Sequence, residues 1–380
     1  MKDEVVNRVL ELAIAIQQIP APTFEEGERA EFVRGRFLEE GLQDVSIDGA
    51  GNVLARLPGG NARPLVVTAH LDTVFPRGTD LRLTRDPSTS LPLQGLRRAG
   101  SERIHGPGIG DNSLGVAALF GLVWTLRERG TRLAGDVWFV ANTCEEGLGD
   151  LRGMKAVVEK FKSAVTGYLI IEGMALGHIY HRAVAVQRYR ISAQTAGGHA
   201  WSDYGQPSAV HELAALTTQI ASLPLPLVPR STLNVGKITG GTSINTLAAE
   251  ASLELDMRSE SPQALADLVS RVDALVETAN RSGVRVDAEG IGQRPGGSVP
   301  AHHALVELAV ACLRAQGVEP SLIGGSTDAN VPLSRGLPAL VMGVTTGGSA
   351  HTLGEFVDVE LVARGLEALT EFVARSFDYQ

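Results

Sequence analysis

Apolar positions along the chain follow two textures. In the first, short apolar runs alternate with stretches of helical period. Residues 65–69, 137–142, 168–171 and 339–344 are strand candidates. Three of these four are near-continuous apolar runs, as expected of parallel strands buried on both faces. Residues 114–129 read as a helix closed by Gly130. Thr23, with Glu26 three residues on, reads as a capping box opening a helix through Phe32 and Phe37. Alternation of this kind predicts an α/β fold, a mostly parallel sheet covered by helices.

From about residue 183 polarity alternates instead. A strand is expected over 183–196 (Val184, Val186, Tyr189, Ile191), then a helix from Pro207 to about Ser222. Strands over 233–238 and 247–257 meet at Thr239-Gly240-Gly241, followed by a helix over 261–280 and a strand over 284–288. The order β-α-β-β-α-β is that of a ferredoxin-like split unit. After Gly296-Gly297 the first texture returns, with a helix from His302 to Gln316. The expected organisation is an α/β domain of residues 1–182 and 296–380, with a ferredoxin-like domain of residues 183–295 inserted into it.

Length and composition narrow the function. A chain of 380 residues is long enough for two cores. Its net charge of −9 argues against a nucleic-acid surface. Cys144 and Cys312 lie far apart with no Cys-x-x-Cys, which offers no disulfide framework and suits a reducing compartment. The opening Met-Lys-Asp-Glu has early acids and no cleavage site, unlike a signal peptide. The apolar stretch 116–126 is too short to cross a bilayer. A cytoplasmic protein without a membrane partner is expected.

The chemistry-bearing residues gather where an open parallel sheet binds ligands, beyond the carboxyl ends of its strands. His70 and Asp72 follow the run 65–69, Glu145 and Glu146 follow 137–142, and Glu172 follows 168–171. Asp111 comes after the flexible Gly106-Pro107-Gly108-Ile109-Gly110, and His351 after Gly347-Gly348. Two imidazoles with several carboxylates form a mixed N/O donor set suited to zinc, and also to manganese or cobalt. A carboxylate shared between two ions would make a dinuclear site. Individually, Asp111 also reads as a helix N-cap and Glu145-Glu146 as a solvated helix start. The chain has no Gly-x-Gly-x-x-Gly, Gly-x-Ser-x-Gly or His-Glu-x-x-His.

His70-x-Asp72, Gly110-Asp111-Asn112, Glu145-Glu146-Gly147, Glu172 and the late His351 resemble, in order and spacing, the M20 family of dinuclear metallopeptidases. Asp72-Thr73-Val74-Phe75-Pro76 and the stretch from Gly198 to Asp203 resemble its carboxypeptidase G-like and tripeptidase-like branch. The resemblance implies that His70 and Glu172 hold one metal, Glu146 and His351 the other, and that Asp111 bridges them. It makes Asp72 the residue that orients His70 and Glu145 the general base, taking a proton from water activated between two divalent ions. It assigns the inserted domain as a lid and homodimerisation domain. There His199 would reach the oxyanion from the partner subunit, and Asn245, Arg258 and Arg294 would contact substrate. It also implies a cis peptide bond after Asp111. Two departures stand out. Many relatives carry Asp where this chain has Glu172, and the usual Asn-x-Ile-Pro is here Asn245-Thr246-Leu247-Ala248.

The leading expectation is therefore an exopeptidase that cleaves an amide bond in short peptides with two divalent ions, zinc first. A deacylase of N-acyl amino acids would use the same site with another pocket. A non-catalytic peptide or metal sensor on this scaffold would have no need of Glu145.

Overall fold

A computed structural model describes residues 3–87 and 102–379. The chain divides into two compact units, Met1–Arg182 with Ser298–Gln380, and Ala183–Gly297.

The first unit is built on a mixed sheet. Four neighbouring strands at its centre are parallel, in the order Gly135–Asn142, Ala62–His70, Gly167–Glu172, Ala339–Gly343. Val53–Leu57 and Gln43–Ile47 extend one side antiparallel, and His178–Ala183 lies antiparallel on the other. The register sets His70 opposite Asn142 and Gly343 opposite Glu172, so these strands finish together on one rim. Leu65, Val66, Val67, Leu169, Ile170 and Val341 are fully buried. Side chains of this size each contribute about 1.5–3 kcal/mol on burial, so the central strands are stiff supports for whatever their ends carry.

Helix Leu114–Glu128 is buried from Leu114 to Leu126 and packs against helices Asp3–Gln17 and Val362–Arg375. The stretch Ile109–Glu128 is long and apolar enough to cross a membrane, yet almost all of it is enclosed in this unit. Its apolar character thus belongs to a core helix. The expected capping box is absent. Helix Gly27–Glu39 has no side-chain cap, because Thr23 and Glu26 are engaged elsewhere.

The second unit has the strands Ala185–Thr195, Ser231–Gly240, Glu250–Ser259 and Val284–Arg294, with helices Ala209–Ala221 and Pro262–Ala279 between them in β-α-β-β-α-β order. The sheet is antiparallel, in the order Ser231–Gly240, Glu250–Ser259, Ala185–Thr195, Val284–Arg294. Burial alternates strictly along Glu250–Ser259, so one face meets the helices through Leu253, Leu255 and Met257. Ser261 caps its helix by accepting from Ala264 N. The last strand runs six residues beyond its expected end at 288 and makes Arg294 a strand residue.

Candidate metal centre

His70 closes strand Ala62–His70 and Glu172 closes Gly167–Glu172, while Glu145 and Glu146 follow shortly after Asn142. Asp111 and His351 arrive on loops. The Asp111–Asn112 peptide bond is cis, as the resemblance implies, and Ser113 rather than Asp111 stands at the N-cap position of the following helix, without a side-chain capping bond. Asn112 locks this loop to the sheet by donating to Ile171 O (2.8 Å) and accepting from Gly173 N (2.9 Å). Both neighbours of Glu172 are thereby held. Cys144 (φ 59°) and His351 (φ 64°) occupy the left-handed region, which side chains rarely adopt outside functional turns.

Asp111 lies at the centre of the cluster. Its Oδ1 is 3.0 Å from His70 Nε2 and its Oδ2 is 3.1 Å from His351 Nε2. Glu172 Oε2 stands 3.7 Å from the first imidazole nitrogen, and Glu146 Oε1 stands 3.2 Å from the second. The donors fall into two sets sharing one carboxylate: His70, Asp111, Glu172, and Asp111, Glu146, His351. Around a tetrahedral ion with bonds near 2 Å, neighbouring donors sit about 3.3 Å apart, so these spacings fit divalent cations. Glu145 is buried and has a carboxylate oxygen within 4.8 Å of donor atoms of His70 and Glu146.

The electrostatics ask for positive charge. Burial alone would depress His70, but Asp111, Asp72 and Glu172 outweigh it and hold the imidazole well above its ordinary pKa. Asp111 and Glu146 push His351 up to about 10. Burial disfavours the Asp111 carboxylate, yet His351 and His70 hold it well below the usual carboxylate range. Burial raises Glu172, and His70 only partly opposes it. Raised imidazoles and a depressed central carboxylate mark a cluster of acids that favours positive charge in its midst.

Asp72 meets His70 mainly through its backbone: its carbonyl oxygen lies 3.0 Å from His70 Nδ1, with Oδ1 farther off at 3.6 Å. This acceptor keeps a proton on Nδ1 and leaves Nε2 facing the cluster, where its lone pair would serve a bound cation. The Asp72 carboxylate also accepts from Glu145 N (2.9 Å), Glu146 N (2.8 Å) and the Thr23 hydroxyl (2.9 Å). It organises the glutamate pair.

Several contributors were not singled out from the sequence. Glu355 is fully buried and accepts from Gly108 N (3.2 Å), Gly110 N (2.8 Å) and Asp111 N (2.9 Å), cradling the loop that presents Asp111. Its only sequence signal is its place four residues after His351. Asp328, also fully buried, accepts from Asn142 Nδ2 (2.7 Å), and burial pushes it up to about 7. The Cys144 thiol is buried, and burial and then Glu26 push it up to about 12.

In the second unit the four expected residues form two pairs. His199 stands opposite Thr246 in a short ladder, and Ala200 N donates to Asn245 O (2.9 Å). His199 is exposed, and its Nδ1 accepts from Trp201 N (3.2 Å) and Ser202 N (3.3 Å), which places its proton on Nε2. Arg258 and Arg294 both pair with Val186, from opposite sides, and so share one row of the sheet. Asp256 accepts from Arg258 Nε (2.7 Å) and Arg188 Nε (2.9 Å), fixing the Arg258 fork.

Residues 66–375 match peptidase family M20/M25/M40. The chain belongs to this family. Membership makes it a hydrolase of peptide or amide bonds. It is 25% identical over 379 residues to the uncharacterized protein YqjE of Bacillus subtilis, covering 97% of this chain and 98% of that one. A tripeptidase from Staphylococcus aureus shares its fold with a TM-score of 0.78 at 22% identity, over 98% of this chain and 99% of that one. Aminopeptidase PepT from Bacillus cereus shares it with a TM-score of 0.75 at 23% identity, over 98% of both chains.

Proposed function

We propose that the protein is an exopeptidase that hydrolyses short peptides with two divalent cations, zinc first among them. The observation that carries this reading is Asp111, whose two carboxylate oxygens each face a different imidazole, with a further glutamate beside each. His70, Asp111 and Glu172 would hold one ion, and Asp111, Glu146 and His351 the other. Cations held in this way would polarise an amide carbonyl and acidify the attacking water. Glu145 takes the proton from that water and returns it to the departing amine nitrogen. Asp72 sets its position by holding the amides of Glu145 and Glu146. His199 donates from Nε2 to the oxyanion, and Asn245, Arg258 and Arg294 contact the substrate, the arginines taking its carboxylate.

The β-α-β-β-α-β order supports reading the second unit as a ferredoxin-like lid. Its exposed edge strand Ser231–Gly240 supports homodimerisation through it, with His199 serving the partner's site. Two free, buried cysteines support a reducing, cytoplasmic setting.

Metal analysis of the purified protein, coupled to mass-spectrometric digestion of mixed di- and tripeptides, tests the reading. Two equivalents of metal and release of terminal residues are expected. Glu145→Gln should keep both metals and lose about 10²–10⁴-fold in kcat, the usual contribution of a general base. Unchanged turnover in that variant would remove Glu145 from its role. Cleavage confined to N-acyl amino acids would reassign the protein as a deacylase, and tight peptide binding without cleavage would make it a sensor.

A further inference from the structure

The Thr23-x-x-Glu26 pattern, which reads in the sequence as a capping box, continues to Arg29. All three side chains turn toward the two turns that carry His70 and Glu145, Thr23 to the Asp72 carboxylate and the other two to backbone. The Thr23 hydroxyl donates to Asp72 Oδ2 at 2.9 Å. Glu26 Oε1 accepts from Cys144 N at 3.0 Å and lies 3.5 Å from Cys144 Sγ. Arg29, buried to 2% exposure, donates to Leu71 O at 2.7 Å and ties it to Ile19 O through Nε (3.0 Å) and Nη2 (2.6 Å). Thr73 N donates to Ala21 O at 2.9 Å, so backbone joins what the side chains grip. One short segment, residues 19–29, thus holds both the turn after His70 and the turn before Glu145. It lies wholly outside the matched residues 66–375.

The Glu145 side chain leaves a backbone fixed at three successive amides. Glu26 takes the N–H of Cys144, and Asp72 takes those of Glu145 and Glu146. Cys144 sits in the left-handed region at φ 59°, which an L side chain occupies only when its surroundings enforce it. Glu26 is the group that holds its N–H there. Thr23 fixes the Asp72 carboxylate on the oxygen that also receives Glu146 N, and Arg29 anchors the carbonyl just before Asp72. We propose that Thr23, Glu26 and Arg29 form a clamp of positioning residues that aims the Glu145 carboxylate at the attacking water. This rests on the reading of Glu145 as general base. The clamp's hydrogen bonds go to Asp72, Cys144, Leu71 and Ile19 and not to the side chains of the proposed metal ligands, so it acts on proton transfer.

The test compares wild type, Glu26→Leu, Glu26→Gln, Thr23→Val and Glu145→Gln on one peptide taken from the substrate panel. Glu26→Leu is expected to lower kcat about 10–100-fold with KM within about twofold, the signature of a misaligned catalytic group. Glu26→Gln should restore most of that loss, since an amide oxygen accepts the same Cys144 N–H. Thr23→Val, nearly equal in shape, should lower kcat about three- to tenfold. Metal content and the visible spectrum of the cobalt-substituted forms should match wild type throughout. The clamp is overturned by a wild-type kcat in both Glu26→Leu and Thr23→Val, by an effect on KM alone, by loss of metal along with activity, or by failure of Glu26→Gln to rescue. Should Glu26→Leu not fold, Thr23→Val decides, and a wild-type kcat there overturns the clamp. An active Glu145→Gln would instead overturn the base assignment, which separates the two failures.

Discussion

At residue scale Asp111 serves two imidazoles with one carboxylate. Asparagine at this position keeps the shape but loses the charge and one acceptor oxygen. Asp111→Asn should therefore deplete both metals together, whereas Glu172→Ala, touching one set only, should retain about one equivalent by elemental analysis. Two equivalents in Asp111→Asn would deny the bridge. Glu355 governs the same carboxylate from behind. Glu355→Gln keeps one acceptor oxygen for Gly110 N and Asp111 N but turns an amide donor on the Gly108 N–H, and an unsatisfied buried donor costs about 1–3 kcal/mol. A lower melting temperature and weaker metal retention against a chelator are expected, and neither change would mean that the cradle is dispensable. The residues that gather in the candidate site were legible because strand ends advertise themselves: His70 and Glu172 terminate apolar runs. Glu355 was not, since its partners at Gly108, Gly110 and Asp111 lie about 245 residues away and its own stretch has no periodicity.

At element scale the site depends on a close approach between the strand carrying Glu172 and the loop carrying Asp111. Gly173 is where they meet: a Cβ there would fall 2.0 Å from Gly110 O, and backbone cannot yield as a side-chain tip does. Gly173→Ala should push the loop off the strand end, cost about 1–3 kcal/mol as overpacking does, and weaken metal binding in the same variant. Calorimetry of the metal-free and loaded forms checks both, and a fall in stability with metal affinity intact would sever the link. Elements of this kind were readable as far as pattern reaches. The buried parallel strands show as apolar runs, and helix Leu114–Glu128 ends near its Gly130 signal. Thr23 and Glu26 misled because an S/T-x-x-E spacing suits a helix start as well as it suits two separate tertiary hydrogen bonds. Only the arrival of Asp72 and Cys144 decides between them.

For the whole molecule the question is how a net charge of −9, with so many acids in one buried cluster, stays stable with and without metal. In the metal-free chain the imidazoles carry the compensating charge. His351 titrates near 10 when folded against 6.5 in the unfolded chain, and His70 is raised as well. A group whose pKa rises on folding stabilises fully below its unfolded value and loses that contribution as pH climbs through the folded one. The metal-free protein should therefore lose stability from about pH 6.5 toward pH 10. His351 is half-exposed, so solvent screening keeps its share modest. With metal bound the imidazoles are neutral ligands, and the dependence reverses, because protons compete for the donors as pH falls. Free metal at about a hundred times its Kd should add about 2.7 kcal/mol at neutral pH. Melting temperatures across pH 5–10, in chelator and in excess zinc, should thus give curves that diverge as pH rises. Parallel curves would mean that the protons of His70 and His351 and the metal do not occupy the same positions, and the dinuclear reading would fail with them.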